Sequence, residues 1–138
     1  MISNKTQKII NAVLLVAVLL TTMLSWFGGA RDVQEIRGYI VLMNPFTIMF
    51  MLVVLASFLV KGVNIGHILR IIGFSGIIIM EIFYFFTWYL QTINHDFSIS
   101  MCFNMTYPEF YFSLIIACIP LILNVIFLVQ KNCIRQSE

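Results

Sequence analysis

Residues 68–90 read ILRIIGFSGIIIMEIFYFFTWYL. A strand of a membrane barrel needs only about ten residues and alternates in polarity. This run is longer and almost continuously apolar, so it predicts a helix. At about 1.5 Å of rise per residue, roughly 20 residues cross the ~30 Å hydrocarbon core of a bilayer. The stretch therefore predicts a membrane-spanning helix. It also carries the most informative residue of the chain, Glu81, close to its middle.

Three other runs have the same character: residues 9–28 (IINAVLLVAVLLTTMLSWFG), 39–60 and 110–130. The connections at 30–38 and 61–67 are short, and short connections force neighbouring helices antiparallel. The third connection, 91–109, is the longest. The expected fold is all-α: a polytopic membrane protein with a four-transmembrane-helix antiparallel bundle, forming one membrane domain over residues 1–138. Composition points the same way. The chain is 61% hydrophobic and only 10% charged, against about 25% charged in soluble domains. Lys5 and Lys8 ahead of an apolar run resemble a signal peptide, but the run exceeds the usual 7–15 or so residues of such a segment. It reads as a retained first helix.

Orientation follows from the excess of Lys and Arg on cytoplasmic flanks. Lys5, Lys8, Lys61, Arg70, Lys131 and Arg135 fall on one side; Arg31 and Arg37 fall on the other, beside Asp32 and Glu35. Both chain ends are expected in the cytoplasm, an N-in/C-in arrangement. Trp26, Tyr39, Trp88, Tyr89 and Tyr107 fall near the outer interface, where amphipathic rings prefer to sit. Abundant Ile and scarce Ala, with Asn and Lys in the loops, point to a bacterial plasma membrane as the location.

A carboxylate at the bilayer centre costs at least about 2.5–3.5 kcal/mol on insertion scales. Glu81 must therefore be neutral, paired or hydrated. Counting rise from each helix midpoint puts Thr21, Thr22 and Thr47 within roughly 3 Å of its depth, and Asn44 and Tyr84 somewhat further out. Glu81, Thr21, Thr22, Thr47 and Asn44 are the expected buried polar layer and possible coupling site. Arg70, roughly 16 Å down the same helix, is expected to snorkel to the cytoplasmic headgroups. Pro45 and Pro120 each remove a helix hydrogen bond and predict kinks in the second and fourth helices. Gly73 and Gly76 mark a close-packing face on the third.

Other chemistries lack their signatures. Cys102, Cys118 and Cys133 fall at three different depths and show no CxxC spacing; Cys102 alone is placed to cross-link two chains. Cys133, just past a helix, is a candidate palmitoylation position. His95-Asp96 has no metal-ligand spacing, so no metal or other cofactor is expected. No nucleophile–base pair, phosphate loop or carboxylate pair stands out, and a net charge of +2 leaves no nucleic-acid footprint. The expectation is a non-enzymatic membrane protein acting through a membrane-protein partner or homo-oligomer, as an accessory subunit, regulatory or immunity-type factor. The alternative is a small oligomeric proton-coupled transporter with Glu81 as its ionisable centre.

Overall fold

The computed structural model describes residues 3–28, 35–88 and 99–136. The chain is mostly helical, with helices α1 (Asn4–Thr21), α2 (Tyr39–Leu42), α3 (Pro45–Leu59), α4 (Val63–Thr87), α5 (Ile99–Asn104) and α6 (Pro108–Gln136). A two-stranded antiparallel hairpin, β1 (Ser25–Phe27) and β2 (Ile36–Arg37), follows α1. Two helical segments, Val63–Thr87 and Pro108–Lys131, are long and apolar enough to cross a membrane. α4 packs against α3 on one side and α6 on the other, and α6 also packs against α1.

Local chemistry sets the helix limits. Ser3 caps α1, its hydroxyl accepting from the Thr6 N–H at 3.2 Å. Such a cap satisfies one of the otherwise orphaned N-terminal donors. α1 ends at Thr21 rather than continuing to Gly28, as the apolar run predicted. The Thr21 and Thr22 hydroxyls turn back to the Val18 and Leu19 carbonyls, each at 2.7 Å, and such local bonds compete with a continuing helix. The chain then enters β1, and Ser25 pairs with Arg37 and Phe27 with Ile36.

The second apolar run is also divided. Proline cannot supply the N–H that a helix interior requires, but it is well suited to a helix start. Pro45 accordingly opens α3, with Asn44 as its cap accepting from the Phe46 N–H at 2.9 Å. The preceding residues form the separate turn α2, so the expected kink is a break. α6 contains Pro120 within one unbroken helix.

The hairpin end has its own core. Trp26, Phe27 and Trp88 are fully buried, together with Phe85, Cys102 and Phe110. Phe27 stacks on Trp88 with ring centroids 5.5 Å apart, and Phe85 on Phe110 at 5.3 Å. Trp26 and Trp88 were expected to face headgroups as an aromatic belt; instead the hairpin folds them inward as a plug. Backbone bonds tie the plug to the turn before α6, from the Tyr107 N–H to the Trp26 carbonyl (2.8 Å) and from the Gly28 N–H to the Met105 carbonyl (3.0 Å). Gly38 is required by close approach, because a Cβ there would run into the Trp26 indole.

Between the two ends lies a second apolar core of Leu15, Val18, Val54, Phe74, Ile77 and Ala117. Here α3 and α4 come close at glycines. A Cβ on Gly73 would meet Val54 and the Phe50 backbone, and one on Gly76 would enter the Phe50 ring. The packing face expected from these two residues is the α3–α4 contact.

Candidate functional site

The interior polar residues fall into two levels on either side of that second core. Glu81 belongs to the level nearer the hairpin and is fully buried. Its Oε1 accepts from the Ser113 hydroxyl on α6 at 3.1 Å, and the Ser113 oxygen lies 2.8 Å from the Thr21 hydroxyl on α1. The Trp26 indole N–H reaches the Thr21 carbonyl at 3.1 Å. Glu81 Oε2 and the fully buried Thr47 hydroxyl have no hydrogen-bond partner among the described residues.

The structure thus brings Thr21 and Glu81 to the same Ser113 hydroxyl; Thr21 spends its hydrogen on the Val18 carbonyl, so the single Ser113 hydrogen serves either Thr21 or Glu81. Thr22 is buried but spends its hydroxyl on its own helix. Asn44 caps α3 and reaches the Tyr84 hydroxyl at 3.4 Å rather than Glu81. Ser113, the direct partner of the acid, was not among the residues singled out from sequence.

The other level lies near the end that bears Lys5, Lys8, Lys61 and Lys131, and Asn124 on α6 is its hub. The Asn124 amide nitrogen donates to Asn11 Oδ1 on α1 at 2.5 Å and to the Pro120 carbonyl at 2.7 Å. Asn124 Oδ1 lies 2.9 Å from His67 Nδ1 and 3.5 Å from Arg70 Nη1, both on α4. Arg70 Nε donates to the Ser57 hydroxyl on α3 at 3.1 Å, and its guanidinium lies over the Phe58 ring at 5.4 Å. Lys8 closes this end of α3, donating to the Phe58 and Val60 carbonyls at 2.6 and 3.3 Å.

These bonds fix a protonation pattern. Asn11 donates to the Gln7 carbonyl at 2.8 Å, so its oxygen is the atom facing Asn124. That oxygen and the Pro120 carbonyl can only accept. The nitrogen of Asn124 must therefore point at them, and its oxygen at Arg70 and His67. His67 then carries its hydrogen on Nδ1, which leaves Nε2 for other contacts. His67 also lines a cavity of about 80 Å³ between α1, α4 and α6, open toward the lysine-bearing end beside Asn4, Gln130 and Lys131.

Arg70 does not reach out of the bundle as expected; it is only 2% exposed. The reason is local: Ser57, Asn124 and the Phe58 ring supply partners inside. Sequence reading missed Asn11, Ser57 and Asn124, although a periodic signal was present. Arg70 and Glu81 on α4, and Ser113 and Asn124 on α6, are each about three helical turns apart, roughly 16 Å. Each of these two pairs therefore shares one helix face, and the two helices repeat the interval.

No protein-family model, curated protein or solved structure matches the chain. Its site must be read from its own geometry. Two polar levels with an apolar layer between them cross-link neighbouring helices at two heights. His95, Asp96 and Tyr89 lie outside the described residues. Cys102 and Cys118 are free. Cys102, expected to be placed for cross-linking, is instead buried, and burial pushes its thiol above the ordinary range.

Proposed function

We propose that this chain is a four-span integral protein of a bacterial plasma membrane, with both ends in the cytoplasm, that acts without catalysis through contacts with another membrane protein. Its roles would be those of an accessory subunit, a regulatory factor or an immunity-type factor. α2 and α3 together would supply the second crossing, beside α1, α4 and α6. The observation that carries the reading is the inverted distribution of polarity. Large apolar side chains cover the exterior of all four long helices, among them Val13, Leu52, Ile79 and Ile122, while interior polar side chains bond across helices, as Ser113 does to Glu81 and Asn124 to Asn11. An exterior of that kind suits lipid and the flank of a partner helix. Interior polar bonds then act as glue between helices, where apolar contacts with lipid are as good as contacts with protein.

Affinity purification of the chain from native membranes tests this. A membrane protein recovered in fixed stoichiometry is expected; recovery of the chain alone, together with full activity in a reconstituted transport assay, overturns it. Labelling of cysteines introduced at Lys61 and at Asn104 tests the topology, with only the latter expected to react from outside the cell.

A second reading, a small oligomeric proton-coupled transporter, is favoured by one feature: Glu81 Oε2 and the Thr47 hydroxyl are buried without partners among the described residues. The apolar layer of Leu15, Val18, Val54, Phe74, Ile77 and Ala117 counts against it, because it interrupts the polar path between the levels. Glu81→Gln separates the two. A coupling acid must release its proton, so Gln would abolish transport; a structural acid leaves partner binding intact.

A further inference from the structure

We infer that Glu81 takes up and releases its proton on the hairpin side of the protein, through a water molecule held between Glu81 Oε2 and the Thr47 hydroxyl. The inference begins with register. Contacts between α3 and α4 step forward along one helix and back along the other: Ser57 bonds to Arg70, Val54 meets Gly73, Phe50 meets Gly76 and Asn44 bonds to Tyr84. Thr47 stands one helical turn from both Phe50 and Asn44, so it falls opposite Met80 and Glu81. Thr47 and Glu81 are both fully buried. Neither the Thr47 hydroxyl nor Glu81 Oε2 has a hydrogen-bond partner among the described residues.

Two such groups at one height, on facing helices and not bonded to each other, point to a small guest between them. Buried polar groups are nearly always bonded, and water commonly bridges a polar gap too wide for a direct bond. The Ser113 hydrogen does not meet the need, because it serves Glu81 Oε1 or Thr21. The surroundings suit water rather than an ion. At this height α1 presents Thr21, α3 Thr47 and α6 Ser113, all neutral. On α4 the nearest ionisable groups are Tyr84, one turn away, and Arg70, three turns away. Cys102 of α5 packs in the hairpin core, and Tyr111 of α6 is exposed. Water can accept from a protonated carboxyl or donate to an ionised one, so it serves both states.

The seam is open at one end only. Away from the hairpin, Phe50 against Gly76 and the second apolar core close it. Toward the hairpin, Tyr84 follows Glu81 by one turn and Asn44 precedes Thr47 by one. Asn44 donates to the Tyr84 hydroxyl at 3.4 Å, and both side chains are half-buried. Hydroxyls give and accept protons, and one turn is about 5 Å along the axis, a step that a single water spans. The water site stands on these contacts alone; that its open end faces outward rests on the membrane reading proposed above.

The test is reaction of the full chain with an apolar carbodiimide, which couples to protonated carboxyl groups. The Glu81 adduct is read by mass spectrometry, with Glu81→Gln as the blank. Sealed phosphatidylcholine vesicles are used, and an impermeant maleimide on an Asn104→Cys variant reports which side the hairpin faces. Lowering the pH on the hairpin side from about 9 to about 5 should raise the coupling rate at least about fivefold. The same change on the lysine-bearing side should leave it unaltered. Thr47→Val removes the hydroxyl at similar size and should abolish the response; Tyr84→Phe should at least halve it. A response to the lysine-bearing side, no response to either side, or an unchanged response in both variants overturns the inference. In neutral detergent, where no sides exist, the pH response of the unaltered chain and its loss in Thr47→Val test the water site by themselves. Carbonate extraction of the vesicles reports separately on the membrane reading.

Discussion

The two polar levels are built from similar helices but differ in kind. Around Asn124 the network is dense: one amide serves Asn11, Pro120, His67 and Arg70, and four helices take part. Around Glu81 it is sparse, with one bond from Ser113, one link to Thr21, and an oxygen that no described residue meets. The cation is surrounded and the acid is half-served. A guanidinium has five fixed donors and cannot shed its charge, so the fold must answer it with acceptors. A carboxyl group can take up a proton and become a neutral donor and acceptor, so it tolerates a thinner setting. The dense level is therefore read as structural framework, and the sparse one as the level free to change state.

That contrast can be broken most severely at the hub. Asn124→Leu removes the bonds to Asn11, Pro120, His67 and Arg70 at once and leaves a buried guanidinium short of an acceptor. It should lower stability by roughly 3 kcal/mol, measured by denaturation in detergent; a loss below that of the Ser113 variant described below would reverse the ranking of the levels. The layer that separates them comes next. Gly76→Ala drives a methyl into Phe50 and should cost about 2 kcal/mol. A neutral result would mean that α3 and α4 can move apart freely, and the two levels would no longer be held at fixed heights.

Within the sparse level, Ser113→Ala deletes the only donor to Glu81 among the described residues and should cost about 1 kcal/mol. Glu81→Gln keeps volume, donor and acceptor, and should fold with a change within about 0.5 kcal/mol. Failure of the Gln variant to accumulate would mean that Glu81 is an ion-paired carboxylate, and the contrast drawn above would be wrong. The smallest effect concerns the hairpin plug. Cys102 is buried with a raised thiol, and thiolate is the reactive species. It should resist maleimide until the protein is unfolded, whereas prompt labelling would show that the plug opens.

Much of this was legible in the chain as written. Glu81 stood out because an acid within an apolar run has few tolerable settings, but depth alone did not distinguish Thr21 from Thr22, Thr47 or Asn44. Asn11 and Asn124 were passed over because a lone amide costs less than a charge and interrupts an apolar run without ending it. Their meaning appears only when neighbouring helices are compared. Arg70 was misplaced because snorkelling depends on what lies around the side chain, and Ser57 and Asn124 come from helices remote in sequence. Trp26 and Trp88 were misplaced for a related reason: the belt rule assumes a helix at the interface, and the chain instead turns at Thr21–Thr22 into a hairpin.

The sequence by itself determined that the chain is mostly helical, that two of its segments are long and apolar enough to cross a membrane, and that Glu81 would be buried. Length and hydropathy suffice for these, because hydrogen bonding within a helix is local. Tertiary structure alone decided where the apolar runs break, which hydroxyl serves the acid, and that a buried Arg is held by an amide more than fifty positions away. Those outcomes depend on which helices become neighbours and at what register. Composition does not encode that directly, since it is set by glycines that admit one helix against another and by polar groups that must find partners across the gap.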